Sequence, residues 1–427
     1  MNNIKMLKAG GAAVALAVLA SSPALATEGY FSHGYGAVNK SMAGAGVALS
    51  FDPMSQAINP ASLTGVEDGF TADLSVFSPL RSYSADANFG GPPLLAANPG
   101  SIDSDRNYFF IPSLAGRYAI DDVSAVGWAI YGNGGMNTTY PAENQNAPWT
   151  GGGPFGAGKT GVDLAQGFFQ LTYARELTPG VSVGISPIFA AQRFKAFGLE
   201  PFIPYSVSPT NVTGNGYDWS YGYGGKIGVA AEFGPGFSFG AAYQTQMYMT
   251  DLDKYSGLFA DGGEFNIPSS IQVGFGWDSG SGVKVALDYK RINYEDVAAV
   301  SNPMLPNFSN GLGGAGGPGF GWESINAYKL GIEVEASPTI KLRAGAALND
   351  NPIPSSEVMF NILAPGVQEQ HYTAGMGWQV TSNSTVNIGF MYSPKVSVTG
   401  FPPPAAGQSI TIEMWQWEGT VGWTWTF

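Results

Sequence analysis

Thr420-Val421-Gly422-Trp423-Thr424-Trp425-Thr426-Phe427, the last eight residues, is the stretch that decides the fold. Side chains along a strand alternate between its two faces. Val421, Trp423, Trp425 and Phe427 therefore share one face, and Thr420, Gly422, Thr424 and Thr426 share the other. One face is oily throughout; the other is small and wettable. A soluble sheet would turn the oily face to a core. A transmembrane barrel turns it to lipid, sets Trp and Tyr at the headgroup level and keeps its lumen polar.

The other end of the chain agrees. Lys5 and Lys8 precede an apolar run from Ala9 to Ala20, and Ala24-Leu25-Ala26 follows, which is the layout of a secretory signal spanning residues 1–26 and cleaved after Ala26. That run is too short for a membrane-spanning helix, and no later stretch approaches the roughly 20 apolar residues such a helix needs. A membrane location then requires strands. Sixty glycines beside a charged fraction of 12% fit many strands that alternate oily and small residues. The chain has no Cys, so an exported form cannot rely on disulfides and must draw on a closed hydrogen-bond ladder. Of the 19 Lys and Arg, removal of Lys5 and Lys8 leaves 17 against 32 acidic residues, which argues against a nucleic-acid partner. With no Cys and only two His, the composition points to no metal and no cofactor.

Turn chemistry sets the strand count. Tight turns are expected at Asp121-Asp122, Pro179-Gly180, Gly234-Pro235-Gly236, Ser279-Gly280, Ser337-Pro338 and Ser382-Asn383. Long connections are expected near 84–106, 139–161, 199–217, 251–264, 295–321, 351–369 and 399–409. Six short and seven long connections require fourteen strands with both ends on the periplasmic side, an all-β antiparallel barrel over residues 69–427. Its first strand, Phe70 to Tyr83, closes against the last. Individual strands carry the alternation. Val181, Val183 and Ile185 oppose Ser182, Gly184 and Ser186, while Val283, Val285, Leu287 and Tyr289 oppose Lys284, Ala286, Asp288 and Lys290, with charges on the lumen face.

Residues 27–68 do not read as strands. Gly34, Gly36, Gly44 and Gly46 interleave with Ala43, Ala45 and Ala48, and Asp52-Pro53 and Asn59-Pro60-Ala61 follow. Apolar residues such as Tyr30 and Phe31 are too frequent for a solvated linker. A compact segment of small residues ahead of a wide barrel fits inside the lumen as a hatch.

Three motifs now resemble one family, the FadL-type outer-membrane transporters of long-chain fatty acids and other hydrophobic compounds. Met42-Ala43-Gly44-Ala45-Gly46 through Asp52 to Asn59-Pro60-Ala61 is similar to the family's plug; Leu342-Arg343-Ala344-Gly345 through Asn351-Pro352-Ile353-Pro354 is similar to its late-strand signature; and Phe427 resembles its terminal assembly signal. The resemblance implies a fourteen-stranded barrel, a hatch, and an inward kink in the third strand that opens a window toward the bilayer. It also implies passive uptake of long-chain fatty acids or related hydrophobic compounds. Capture would occur among the outer loops, with transfer to a pocket against the hatch and exit sideways into the outer membrane. A monomer is expected. Apolar cargo needs such stepping stones, because exposing it to water costs roughly 25 cal/mol per Å².

The window is expected at Gly132, Asn133, Gly134 and Gly135, since glycines inside a strand mark bulges and bends. A second reading is that these small residues make room for the hatch. Capture is expected at Leu94, Leu95, Phe202, Ile203, Met304 and Leu305, apolar loop residues that either form a binding surface or pack together as a lid. A carboxylate ligand would need a buried cation, for which Arg193, Lys195, Lys290, Arg291, Lys329 and Arg343 are the available candidates. Simple alternation turns Arg193 and Lys195 outward, where lipopolysaccharide phosphates would meet them; a bulge would reverse this. Fatty-acid transporters of the family carry a lysine just before the position of Asn326-Ala327-Tyr328-Lys329, where this chain has Glu323 and Ile325. That departure favours a neutral alkane or aromatic ligand.

Gly153-Pro154-Phe155-Gly156-Ala157-Gly158-Lys159-Thr160 matches a phosphate-binding loop letter for letter, but such a loop needs a helix after it and Val162 to Leu177 reads as a strand. Two other functions remain open on the sequence, a general diffusion porin and an outer-membrane hydrolase. The hydrolase would depend on His33 or His371 beside a serine and has no assignable catalytic residue.

Overall fold

A computed structural model of the chain describes residues 28–87, 96–142, 151–402 and 407–427. The expected signal segment and the capture candidates Leu94 and Leu95 lie outside these residues. Sixteen strands join one sheet; two of them, Gly100–Asp103 and Tyr248–Met249, are short pieces of loop, which leaves fourteen wall strands. They are β1 (Gly69–Ala85), β2 (Phe109–Asp121), β3 (Ser124–Tyr140), β4 (Thr160–Thr178), β5 (Val181–Phe197), β6 (Asp218–Glu232) and β7 (Phe237–Gln244). The second half is β8 (Ser270–Asp278), β9 (Val283–Ile292), β10 (Ile325–Ser337), β11 (Ile340–Asn349), β12 (Gln370–Thr381), β13 (Ser384–Gly400) and β14 (Ile410–Thr426).

Each strand pairs antiparallel with its neighbours, and β14 returns to β1 in unbroken register from Gly69↔Thr426 to Ala85↔Ile410. Closure removes the sheet edges that a bilayer could not hydrate. All six tight turns fall where the turn residues placed them. The connection after β7 is longer than expected, 245–269, because Tyr248–Met249 folds back onto β6 at Gly222–Tyr223 instead of extending the wall.

On the final strand the oily face is outward: Val421, Trp423, Trp425 and Phe427 are 54–64% exposed. On β9, Leu287 is exposed while Asp288 and Lys290 are buried toward the lumen. Lipid therefore sees the apolar half of each alternating strand.

What fills the lumen is the segment before β1. It contains the helix α1 (Gly36–Lys40) and two 3-10 turns, Pro53–Ala57 and Pro60–Gly65. Each turn begins at a proline behind a side-chain cap. Asp52 accepts from the Met54 amide at 2.9 Å and Asn59 accepts from the Ala61 amide at 3.0 Å. The second turn lies so close to the wall that a Cβ on Gly184 would stand 2.5 Å from the Ala61 amide nitrogen, and one on Gly228 would meet the Asn59 side chain. Asn59 also donates to the carbonyls of Val47 at 2.7 Å and Val229 at 2.9 Å, tying hatch to hatch and hatch to β6. Glycine on the wall and Asn-Pro-Ala on the hatch thus form one close contact.

Candidate functional site

The hatch is seated by charge as well as by packing. Glu28 is fully buried and meets two wall lysines, Lys290 at 2.7 Å and Lys329. Burial alone would push the Glu28 carboxyl up, but the two ammonium groups outweigh it and hold the pKa at about 2. Lys329 also donates to the carbonyl of His33 at 2.8 Å. Lys40 on α1 pairs with Glu418 of β14 and donates to Ser75 of β1 at 2.9 Å. Asp288 accepts from the amides of Gly46 and Val47 at 2.8 and 2.9 Å. Arg343, a head-group candidate, is held within the wall by Glu333 at 2.6 Å and Asn387 at 2.8 Å. Lys290, Lys329 and Arg343 are therefore committed to protein carboxylates.

Beside the hatch the wall is interrupted. β2 and β3 pair from Asp121↔Ser124 up to Leu114↔Ile130 and no further. Beyond that point β2 continues along β1 to Phe77↔Phe109, whereas β3 continues along β4 to Tyr140↔Thr160, with a register shift between Gly132 and Gly134. The strand edge that β2 abandons is completed by other groups. Ser32 donates to the Asn133 carbonyl at 2.9 Å, Gly135 donates to the Tyr30 carbonyl at 3.0 Å, and Arg81 donates to the Asn137 carbonyl. Higher up, Thr139 exchanges bonds with Ser104 and Asp105 at 2.9 and 2.8 Å. At Gly132 to Gly135 the strand bulges, and a Cβ on Gly134 would run into the Tyr30 carbonyl, so the small residues make room for the hatch.

Above the hatch, Phe194, Phe202, Phe259, Leu312, Phe320 and Phe360 line an apolar cavity. A second, separate space is bordered by Trp322, Ala364 and Arg81 and by Gly135 and Met136 at the interrupted edge. Trp322 tilts against Tyr30 at 5.8 Å, and Tyr30 leans on Phe31 at 5.3 Å.

The loop candidates behave differently from the expectation of exposure. Phe202 and Met304 are 4% and 1% exposed, and Ile203 packs against the core. Leu305 alone among the described candidates projects outward, at 47% exposed. Phe202 is buried because Phe155 and Phe360 flank it at 4.9 and 5.7 Å, so the loops close over the cavity as a lid. Arg193 and Lys195 keep the outward facing that alternation assigns, since β5 carries no register shift near them. They lie over the Tyr217 ring at 4.8 and 4.4 Å, Arg193 buried and Lys195 partly exposed, and neither lines the apolar cavity.

Sequence reasoning missed Glu28 and the Phe320-Gly321-Trp322 segment. A lone acid in an apolar stretch and two bulky aromatics inside a glycine-rich loop were the available signals. The phosphate-loop match lies in the connection before β4, with a strand rather than a helix after it. His33 and His371 stack at 6.1 Å inside the hatch contact.

These features define a class, an outer-membrane transport barrel with its lumen filled by its own N-terminal segment. The chain belongs to the family described as "Outer membrane protein transport protein (OMPP1/FadL/TodX)", which it matches over residues 13–400. That family consists of transporters of hydrophobic compounds in the bacterial outer membrane, not enzymes. Among solved structures the chain is similar to the Pseudomonas putida toluene transporter TodX, with 16% identity, a TM-score of 0.68, and coverage of 92% of this chain and 99% of that one. It is also similar to a Pseudomonas aeruginosa FadL homologue, with 13% identity, a TM-score of 0.66, and coverage of 93% and 100%. The Ralstonia pickettii toluene transporter TbuX gives 16% identity, a TM-score of 0.62, and coverage of 92% and 99%. At these identities the likeness is one of fold. No curated protein sequence matches the chain.

Proposed function

We propose that the protein takes up a neutral hydrophobic compound, an alkane or a small aromatic, and releases it sideways into the outer membrane. The observation that carries this reading is the parting of β2 and β3 beyond Leu114↔Ile130, beside a small space bordered by Trp322, Gly135 and Met136. Cargo enters the cavity beneath the loop lid, passes the Tyr30 and Trp322 rings, and leaves where hatch residues now occupy the strand edge. Neutral cargo is supported by the side chains: the upper cavity lining contains no cation, Lys290, Lys329 and Arg343 are paired with carboxylates, and Arg81 and Lys226 are bonded to backbone carbonyls of Asn137, Arg106 and Ala57. An unpaired carboxylate entering that lining would forfeit its hydration without compensation.

The test compares binding of an alkylbenzene with that of a fatty acid of equal carbon number. Preference for the alkylbenzene is expected, and equal or stronger binding of the fatty acid would overturn the neutral reading. For the exit route, bulky residues at Gly134 and Gly135 should abolish uptake while leaving barrel assembly intact; unchanged uptake would overturn it.

A further inference from the structure

On the outer rim, against the lipid face, a polar recess lies beside the interrupted edge. It holds about 930 Å³ of space, open to the outside, between Asp105, Arg106, Asn137, Lys159, Asp163 and Lys195. Arg193 stands next to it, stacked with Lys195 on Tyr217. Three cations thus face two carboxylates in the recess, with Arg193 buried beside it, in a chain whose formal net charge is −13. One carboxylate is already occupied, since Tyr217 donates to Asp163 at 2.7 Å. Arg106 and Arg193 each have a buried guanidinium Nε–H without an acceptor among the described residues. Arg193 is only 7% exposed, so this is an unusual place to leave a donor unmet.

The level of the recess in the membrane follows from its neighbours. Arg193 pairs in register with Trp219, and the next rows down are Ala191↔Tyr221 and Phe189↔Tyr223. Trp219, Tyr221 and Phe189 form a stacked outward ladder with ring separations of 6.5 and 6.2 Å. Such aromatic ladders sit at the boundary between hydrocarbon and headgroups. The cations lie on the loop side of that ladder, at headgroup height on the outer leaflet. Guanidinium and ammonium groups converging there match phosphate, with Arg supplying directed donors and Lys a point charge.

We infer that this recess is a binding site for the phosphorylated headgroup of an outer-leaflet glycolipid, held by Arg106, Lys159 and Lys195. The bound lipid would border the strand edge through Asn137 and Thr139, which also line the recess. The recess borders the transport path, sharing Val162 with the lining of the apolar cavity and Asn137 with the space at the interrupted edge, while its cations lie outside both linings.

The experiment is native mass spectrometry of the purified full chain titrated with diphosphoryl lipid A, with lipid A lacking both phosphates, and with inorganic phosphate. Wild type should prefer the diphosphoryl form, and the triple variant Arg106→Ala, Lys159→Ala, Lys195→Ala should lose about ten- to a hundredfold in affinity, as removal of several charge-assisted contacts requires. Inorganic phosphate should bind far more weakly than the diphosphoryl lipid. The heat-dependent shift in gel mobility of the intact barrel should be unchanged in the variant. Should the triple variant fail that check, Lys159→Gln with Lys195→Gln removes two rim charges and should still weaken binding. Equal binding of phosphorylated and phosphate-free lipid, or full retention by a folded variant, would overturn the inference.

Discussion

Glu28→Gln isolates the charge contact that seats the hatch. The substitution keeps the shape and removes the charge, leaving Lys290 and Lys329 buried without their shared counter-ion. Their side chains are 8% and 1% exposed, and that of Glu28 is 0% exposed. In the seated hatch the Glu28 carboxyl lies near 2 against an ordinary 4.5. The lowering is a net effect in which the two ammonium groups outweigh burial, which acts the other way, so the charged carboxylate is the favoured form. Removing one member of such a buried pair costs roughly 3–5 kcal/mol. A loss of about 3 kcal/mol shifts the balance between seated and released hatch roughly a hundredfold. Single-channel recording in planar bilayers reads this directly: wild type should be almost always closed, and Glu28→Gln should open roughly a hundredfold more often. Adding Lys290→Met and Lys329→Met should restore closure, because apolar groups of similar size replace buried ions at little net cost. Wild-type silence in Glu28→Gln would refute the reasoning, as would a triple variant that stays open.

Acidification should loosen the hatch in two stages. Burial, together with the charges of Lys40, His371 and Lys329, holds His33 well below its ordinary 6.5 in spite of Glu28. Glu418 stands 3.7 Å from His33 but is already neutralised by Lys40, so it does not reverse this. A released hatch would protonate His33 near 6.5, so seating weakens as pH falls below that value. Glu28 adds a contribution that is complete above 4.5 and disappears as pH falls toward 2. Channel openings recorded from pH 7 to pH 3 should therefore rise from about pH 6.5 downward; a flat profile would contradict both assignments. Leu287→Arg places a charge on the lipid face midway along β9, where Leu287 is 56% exposed. It should cost roughly 2–4 kcal/mol in denaturant titrations of barrels folded into bilayers, and a change below about 0.5 kcal/mol would contradict the lipid-facing register. Phe360→Ala should enlarge the cavity under the lid and favour a bulkier aromatic ligand in competition binding, whereas an unchanged preference would remove the cavity from the transport path.

The sequence by itself determined the wall. Alternation in Val421, Trp423, Trp425 and Phe427, and turn residues such as Pro179-Gly180 and Ser382-Asn383, are local signals, because a strand's facing depends on period and a tight turn on two or three dihedrals. Alternation left Arg193 and Lys195 open, since a bulge in their strand would have reversed their facing. The same local logic kept a letter-perfect phosphate-loop match from being read as nucleotide binding. Three things needed the tertiary structure. Phe202 and Met304 sit in loops, where burial depends on which distant loop folds over them, so sequence could not separate an exposed surface from a lid. Gly132 to Gly135 announced a bend, but only the packed hatch revealed that Tyr30 and Ser32 take the place β2 abandons. Glu28 looked like an isolated acid because its partners, Lys290 and Lys329, are more than 260 residues away along the chain. Closing the barrel brings them together, and ion pairing depends on distance in space, to which sequence separation is no guide.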